Sequence, residues 1–391
     1  LFIFCLSFYL SNANHFSQVD SLIEKKQFLS AWKLLSSEET KTNKELINLK
    51  KIEICLKYFT KSVNHQAFAF TNLKPGETII QHRKHTDVKT ISTFPFKIDA
   101  ILDSLIRENP KNFSLQKSKG DYYYDILILF GRDWIVSQQE VMRRMYSAYN
   151  TADKNGVSDY LSLYALGYFH QLNSASFKAV EYFKRSLLLD SNYAPTHYNL
   201  AYVFTEMDSN DIALKHAWSA FQQYKYINYK NDAGQMAGSI LGKLGRHEEA
   251  IAVLLDCDRL VPSTYHTYYY LLNSFLHLNK TQEALITAEN MFSLDWKSHT
   301  INTDIIEFFI KTSHLDELIN FYEAKLIKEE YDIKDMTGSF LYLNEDTDKR
   351  FKLGGIDPRG VIFRNYNESG QAIQDIFLYN TAAEYTVKNT A

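Results

Sequence analysis

Alanines at 179, 213, 250 and 284, followed by Leu318, stand 34, 37, 34 and 34 residues apart, and a pattern of helix residues travels with them. A period of that length restricts the fold more than any other feature. Each unit must be one supersecondary element that cannot bury its apolar face alone, so neighbours have to stack. In the first unit Leu163, Leu166, Gly167 and His170 precede Ala179 and Phe183, and in the second His197, Leu200, Ala201 and Phe204 precede Ala213 and Ala217. The third reads Gly234, Ala237, Gly238 and Leu241, then Ala250, Leu254 and Pro262; the fourth reads Tyr268, Leu271, Leu272 and Phe275, then Ala284 and Ala288. A weaker fifth has Asn302, Ile305, Ile306 and Phe309 before Leu318 and Tyr322. The three- and four-residue spacing within each half predicts two helices per unit. Gly167, Ala201 and Gly238 are small enough to let the first helix press on the second, and an alanine at the head of the second lets the next hairpin approach. The three extra residues of the long interval fall around Tyr226–Asn231.

This spacing and pattern resemble the tetratricopeptide repeat over residues 160–332. The resemblance implies an all-α, right-handed superhelical solenoid of helical hairpins, in which first helices line a concave groove. Carried onto this chain, the groove positions are Tyr164 and Tyr168, Tyr198 and Tyr202, Gln235 and Ser239, Tyr269 and Asn273, then Thr303 and Glu307. Tyrosine fills half of them, and Tyr offers large, rigid contact area with a hydroxyl at small entropic cost. The expected partner is therefore a protein or peptide, with the rings of Tyr164, Tyr168, Tyr198 and Tyr202 forming one patch. Packing of the same rings between helices is the plainer explanation and stays open for any single Tyr. Chaperone-binding members of the family grip a C-terminal carboxylate with a clamp of Lys, Asn and Arg. Only Asn273 matches that clamp, so that ligand is not expected.

Upstream the phase loosens. The segment Phe28–Leu35 looks like another second helix, Lys44–Phe59 is helically periodic, Ile98–Arg107 resembles the end of a unit, and Asp133–Tyr149 reads as a long second helix. An irregular insert at 67–96, with Pro75-Gly76, β-branched residues and Phe94-Pro95-Phe96, predicts a loop or a short strand pair within the divergent helical region 14–150. Downstream, Gly338, Gly354, Gly355, Pro358, Gly360 and Gly370 crowd together, so 333–391 is expected to be a partly irregular cap or tail, with a last helix over Gln371–Tyr385.

Composition supports the helical reading. Only 14 glycines and 6 prolines occur in 391 residues, too few for an all-β chain that turns every ~8–12 residues. The net charge of −3 offers no bulk attraction to a polyanion, so no nucleic-acid partner is expected. Leu1–Leu10 is apolar apart from Ser7 and is followed by Ser11-Asn12-Ala13-Asn14, the pattern of a secretory signal cleaved after Ala13. The expectation is an extracytoplasmic protein, periplasmic or secreted, with no membrane span once residues 1–13 are removed. The missing initiator Met and basic leader suggest that a few residues precede Leu1. A buried first helix is the competing explanation. Cys55 and Cys257 then remain, too few for a disulfide framework, and Cys257 falls on an inward helix face.

The chemistry-bearing patterns are weak. His82, His85 and Asp87 have metal-like spacing, but Arg83 and Lys84 oppose a dication and no Cys is near, so a solvated basic loop is expected and no metal. Gly234, Gly238, Gly242 and Gly245 lack the strand and the Gly-Lys-Ser/Thr of a phosphate loop; close packing, with Gly245 as a turn, accounts for them. No Ser-His-Asp or Cys-His set carries a local signature, and neither G-x-S-x-G nor H-E-x-x-H is present. The reading is a non-enzymatic scaffold without cofactor. The alternative is a small catalytic or glycan-binding site in the N-terminal region, with the repeats as its support.

Overall fold

Five residues with left-handed backbone set the rhythm of the repeats. Ser174, Asp208, Gly245, Asn279 and Ser313 have φ of 55°, 54°, 72°, 55° and 63°. They recur at the same intervals as the alanines. After each, the next amide reaches back five residues: Ala175 N–H to His170 O at 2.9 Å, Ser209 to Phe204 at 2.8 Å, Arg246 to Leu241 at 2.9 Å, Lys280 to Phe275 at 2.9 Å, and His314 to Phe309 at 2.8 Å. That bond closes one helix and aims the chain into the next, satisfying a carbonyl the helix end would leave bare.

The computed structural model describes residues 17–37, 44–85, 91–131, 136–295, 298–327, 351–357, 360–366, 372–379 and 385–389. The chain divides into two compact units, Leu1–Ser191 and Asn192–Ala391. The first unit holds α1 over 17–24, α2 (Phe28–Ser37), α3 (Lys44–Lys57), β1 (Lys61–Val63), β2 (Ala67–Ala69), α4 (Ile79–His85), β3 (Phe94–Pro95), α5 (Ile98–Glu108), α6 (Phe113–Phe130), α7 (Gln138–Lys154), α8 (Tyr160–Leu172) and α9 (Ser176–Leu189). Lys26, at φ 56°, and Gln27 N–H to Leu22 O at 2.7 Å make the repeat's turn between α1 and α2. The second-helix reading of Phe28–Leu35 therefore holds. One aromatic-rich core runs from Val19 and Trp32 through Phe68, Ile98 and Tyr122 to Tyr149 and Leu166. A β-carbon on Gly167 would lie 2.6 Å from the Phe183 ring, and one on Gly120 would strike the Tyr149 ring, so α6–α7 is pressed together as α8–α9 is.

Two expectations shift here. The insert is more ordered than a loop or strand pair: β1, β2 and β3 form an antiparallel sheet, with α4 between the second and third strands. The helix expected over 133–149 instead occupies 138–154. Ser137 Oγ accepts the Glu140 amide at 3.3 Å and caps its start, while Gly156, at φ 79°, ends it.

The second unit holds α10 (Ala194–Glu206), α11 (Asn210–Gln223), α12 (Ile227–Lys243), α13 (His247–Leu260), α14 (Tyr265–His277), α15 (Thr281–Leu294), α16 (His299–Lys311) and α17 (Leu315–Ile327). Helix α12 has 17 residues where α10, α14 and α16 have 13, so the insertion near 226–231 is absorbed as an extra turn at its start. The repeat residues Leu200, Ala201, Ala213, Leu241, Ala250, Leu254, Leu272 and Ala284 are buried. These elements are successive helical hairpins packed on one another. The helix expected over 371–385 is not formed. β4 (Phe351–Asp357), β5 (Gly360–Tyr366), β6 (Ala372–Tyr379) and β7 (Tyr385–Asn389) make an antiparallel meander instead. Ile, Phe, Tyr and Val dominate the paired stretches, and inter-strand bonding decides such ambiguous sequences. The expected signal segment 1–13 lies outside the described residues.

Candidate binding cleft

Helices α10, α12 and α14 are the first helices of three successive hairpins, and a cleft of about 450 Å³ opens along them. Helix α10 contributes Tyr198, Tyr202 and Glu206 at four-residue spacing, one stripe of a 3.6-residue helix. Helix α12 contributes Asp232, Gln235, Met236, Ser239 and Lys243, and α14 contributes His266 and Tyr270. The cleft thus gathers Tyr198, Tyr202, Gln235 and Ser239 from the positions carried over in sequence.

The electrostatics follow from the crowding. Burial, then the nearby Asp232, Tyr270 and Tyr202, push the Tyr198 hydroxyl above its ordinary value. A hydrogen bond to the Glu206 carboxylate, with that charge, does the same for Tyr202. Both phenols are therefore donors at neutral pH. Desolvation raises the Asp232 carboxyl above the usual range, and His266 partly opposes the shift. Gln235 is 8% exposed, and its Nε2 donates to Thr264 Oγ1 at 3.0 Å and Thr267 Oγ1 at 2.9 Å, tying α12 to the start of α14.

The other carried-over positions have different surroundings. Tyr269 does not line the cleft; its ring packs 4.7 Å from Phe308, 5.3 Å from Tyr270 and 5.8 Å from Tyr265. His266 and Tyr270, four residues apart, form the α14 wall instead. The sequence stripe was displaced by one residue, about 100° around a helix. Asn273 is half-buried, its Nδ2 3.7 Å from where a β-carbon on Gly242 would lie. Glu307 accepts from Lys311 Nζ at 2.6 Å, and Thr303 is half-buried. In the first unit, Tyr164 stacks on Tyr168 at 6.3 Å and lies 5.9 Å from Phe183, while Tyr168 is 37% exposed. Sequence reasoning missed Glu206, Asp232, Lys243, His266 and Tyr270. Asp232 was findable, since it lies one turn before Gln235 on the same face.

The N-terminal unit does contain a Ser-His-Asp set, which the local motifs did not reveal because its Asp lies 60 residues from its His. His65 Nε2 lies 2.7 Å from Asp125 Oδ2, and its Nδ1 3.0 Å from Ser62 Oγ. The ring is wholly buried and walled by Phe59, Phe68 and Phe130 at 5.5, 5.1 and 4.9 Å. A general base must meet its substrate. This imidazole meets aromatic rings, and the bonds tie the β1–β2 hairpin to α6. Of the metal-like triplet, His82 Nε2 lies 3.2 Å from Glu77 Oε2, while the His85 side chain and Asp87 lie outside the described residues. The intervening Arg83 sits 3.9 Å over the Phe59 ring and donates to Phe59 O at 2.9 Å. Among the described residues no group of three His, Cys, Asp or Glu is placed to hold a metal. Cys55 and Cys257 are buried free thiols, and burial pushes Cys257 up to about 12.

No family model matches the chain, and no curated protein matches its sequence. Solved structures similar to it include YrrB, described as a TPR protein with an unusual peptide-binding site, at 14% identity over 51% of this chain and 94% of that one, TM-score 0.43. MamA is similar at 16% identity over 48% of this chain and 94% of that one, TM-score 0.40. The pilF protein of Pseudomonas aeruginosa is similar at 13% identity over 56% of this chain and 96% of that one, TM-score 0.42.

Proposed function

We propose that this tetratricopeptide-type chain is a non-catalytic scaffold, exported from the cytoplasm, that binds another polypeptide along the first helices of its repeats. The observation that carries the reading is the cleft between α10, α12 and α14, where Tyr202 remains 44% exposed beside Tyr198 and Tyr270. Rigid amphipathic rings around a concavity suit a peptide backbone, which needs both apolar contact and hydroxyl donors. Repeat stacks present such surfaces on the first-helix side. The apolar run Leu1–Leu10 ahead of Ala13 supports export.

Site-specific photo-crosslinking tests this. A photoreactive phenylalanine analogue at Tyr202 is expected to capture a discrete polypeptide in native cells. The same analogue at Leu255 or Ile286, exposed on the second helices α13 and α15, is expected to capture none. Equal adducts from all three positions, or none from any, overturn the proposal.

A further inference from the structure

The two ends of the cleft differ in how their carboxylates are satisfied. At the α10 end, Glu206 accepts the Tyr202 hydroxyl. Asp232, on α12, lines the cleft with its side chain exposed there and makes no side-chain hydrogen bond or ion pair to any described residue. An unpaired carboxylate that faces a cleft is open to a cation carried by a ligand. Around it the cleft offers the rings of Tyr198 and Tyr270, with His266 the nearby titratable neighbour. The lining's one fixed cation, Lys243, lies eleven residues further along the same helix, about 16 Å at 1.5 Å per residue.

We propose that the Asp232 end of the cleft is a recognition pocket for an arginine side chain of the bound polypeptide, the guanidinium pairing with Asp232 and lying on the Tyr198 and Tyr270 rings. This rests on the peptide-binding reading above and deepens it. Charge complementarity selects a basic residue over an acidic or C-terminal group. The two tyrosine rings select arginine over lysine, because a planar, weakly hydrated guanidinium stacks on aromatic faces while pairing edge-on with a carboxylate.

The test uses the full chain and a phage-displayed library of random twelve-residue peptides. Enriched peptides are expected to share an arginine. A synthetic peptide made from that consensus is expected to lose about tenfold or more in affinity when the arginine is replaced by uncharged citrulline. Asp232→Asn is expected to weaken the parent peptide by a similar factor and to leave the citrulline peptide unaffected. Circular dichroism, expected to be unchanged, confirms the fold of that variant. Enriched peptides that need Tyr202 but carry no basic residue overturn the arginine pocket and leave peptide binding standing. Arginine peptides insensitive to Asp232→Asn also overturn it. No enrichment of any peptide overturns both readings.

Discussion

Within α12, two glycines four residues apart do opposite things. A β-carbon on Gly238 would lie 2.6 Å from Leu254 Cγ, inside a fully buried contact, whereas one on Gly242 meets nothing nearer than 3.7 Å. Gly238→Leu is therefore expected to cost ~1–3 kcal/mol by overpacking, and Gly238→Ala to destabilise as well. Gly242→Ala is expected to gain up to about 1 kcal/mol from helix propensity. Urea unfolding of the variants checks both signs, and equal effects at 238 and 242 would show the repeat phase to be wrong. The same logic applies to the hairpin turns. Ser174 and Ser313 hold left-handed backbone that glycine adopts without a side-chain clash, so Ser→Gly at either is expected to be neutral or stabilising, and Gly245→Ala to cost about 1 kcal/mol. Only Gly245 announces such a turn in the sequence. The other four carry Ser, Asp or Asn, residues too common on helix ends to mark one alone. The conformation is dictated by the closing bond to the helix behind it.

Helices carry the acid response. His247, at the head of α13, stacks on His277, at the end of α14, with ring centroids 4.5 Å apart. Burial first, then the His277 charge, hold His247 below its ordinary 6.5. Burial and then Lys178 do the same to His170 in α8. As pH falls through 6.5 the unfolded chain takes up these protons before the folded one does. Stability is thus fully present above that value and declines below it. The melting temperature is expected to fall between pH 7.5 and 5.5, and His247→Gln to reduce that fall. A pH-independent melting curve would refute the assignment. At this scale the sequence was most legible for α8 to α17, because five units in phase reinforce one another. It was least legible for β4 to β7 and the β1–β2–β3 sheet, whose short apolar stretches suit helix or strand until a neighbouring strand supplies the bonds.

For the chain as a whole, one stripe of tyrosines read from the sequence resolves into residues with different work. Tyr202 is 44% exposed and lines the cleft of the second unit, while Tyr269, from the same carried-over stripe, wedges against Phe308 and Tyr265. Helical phase alone cannot separate the two, since a 3.6-residue pitch places both on the same sector and a rotation of one residue decides which ring is covered. The separation can be measured. Truncating a ring at the centre of a binding cleft commonly costs ~2 kcal/mol or more of affinity, whereas truncating a packed aromatic costs ~3–5 kcal/mol of stability. Tyr202→Ala is therefore expected to keep the melting temperature and lose the arginine peptide. Tyr269→Ala is expected to lower the melting temperature, and to bind that peptide normally at temperatures where it stays folded. Tyr168→Ala, in the first unit, is expected to melt as the parent does, because that ring is 37% exposed and stacks on the neighbouring Tyr164. Calorimetry and a peptide titration on the three variants give the answer. Loss of stability without loss of binding at Tyr202 would make that ring core and move the binding surface elsewhere.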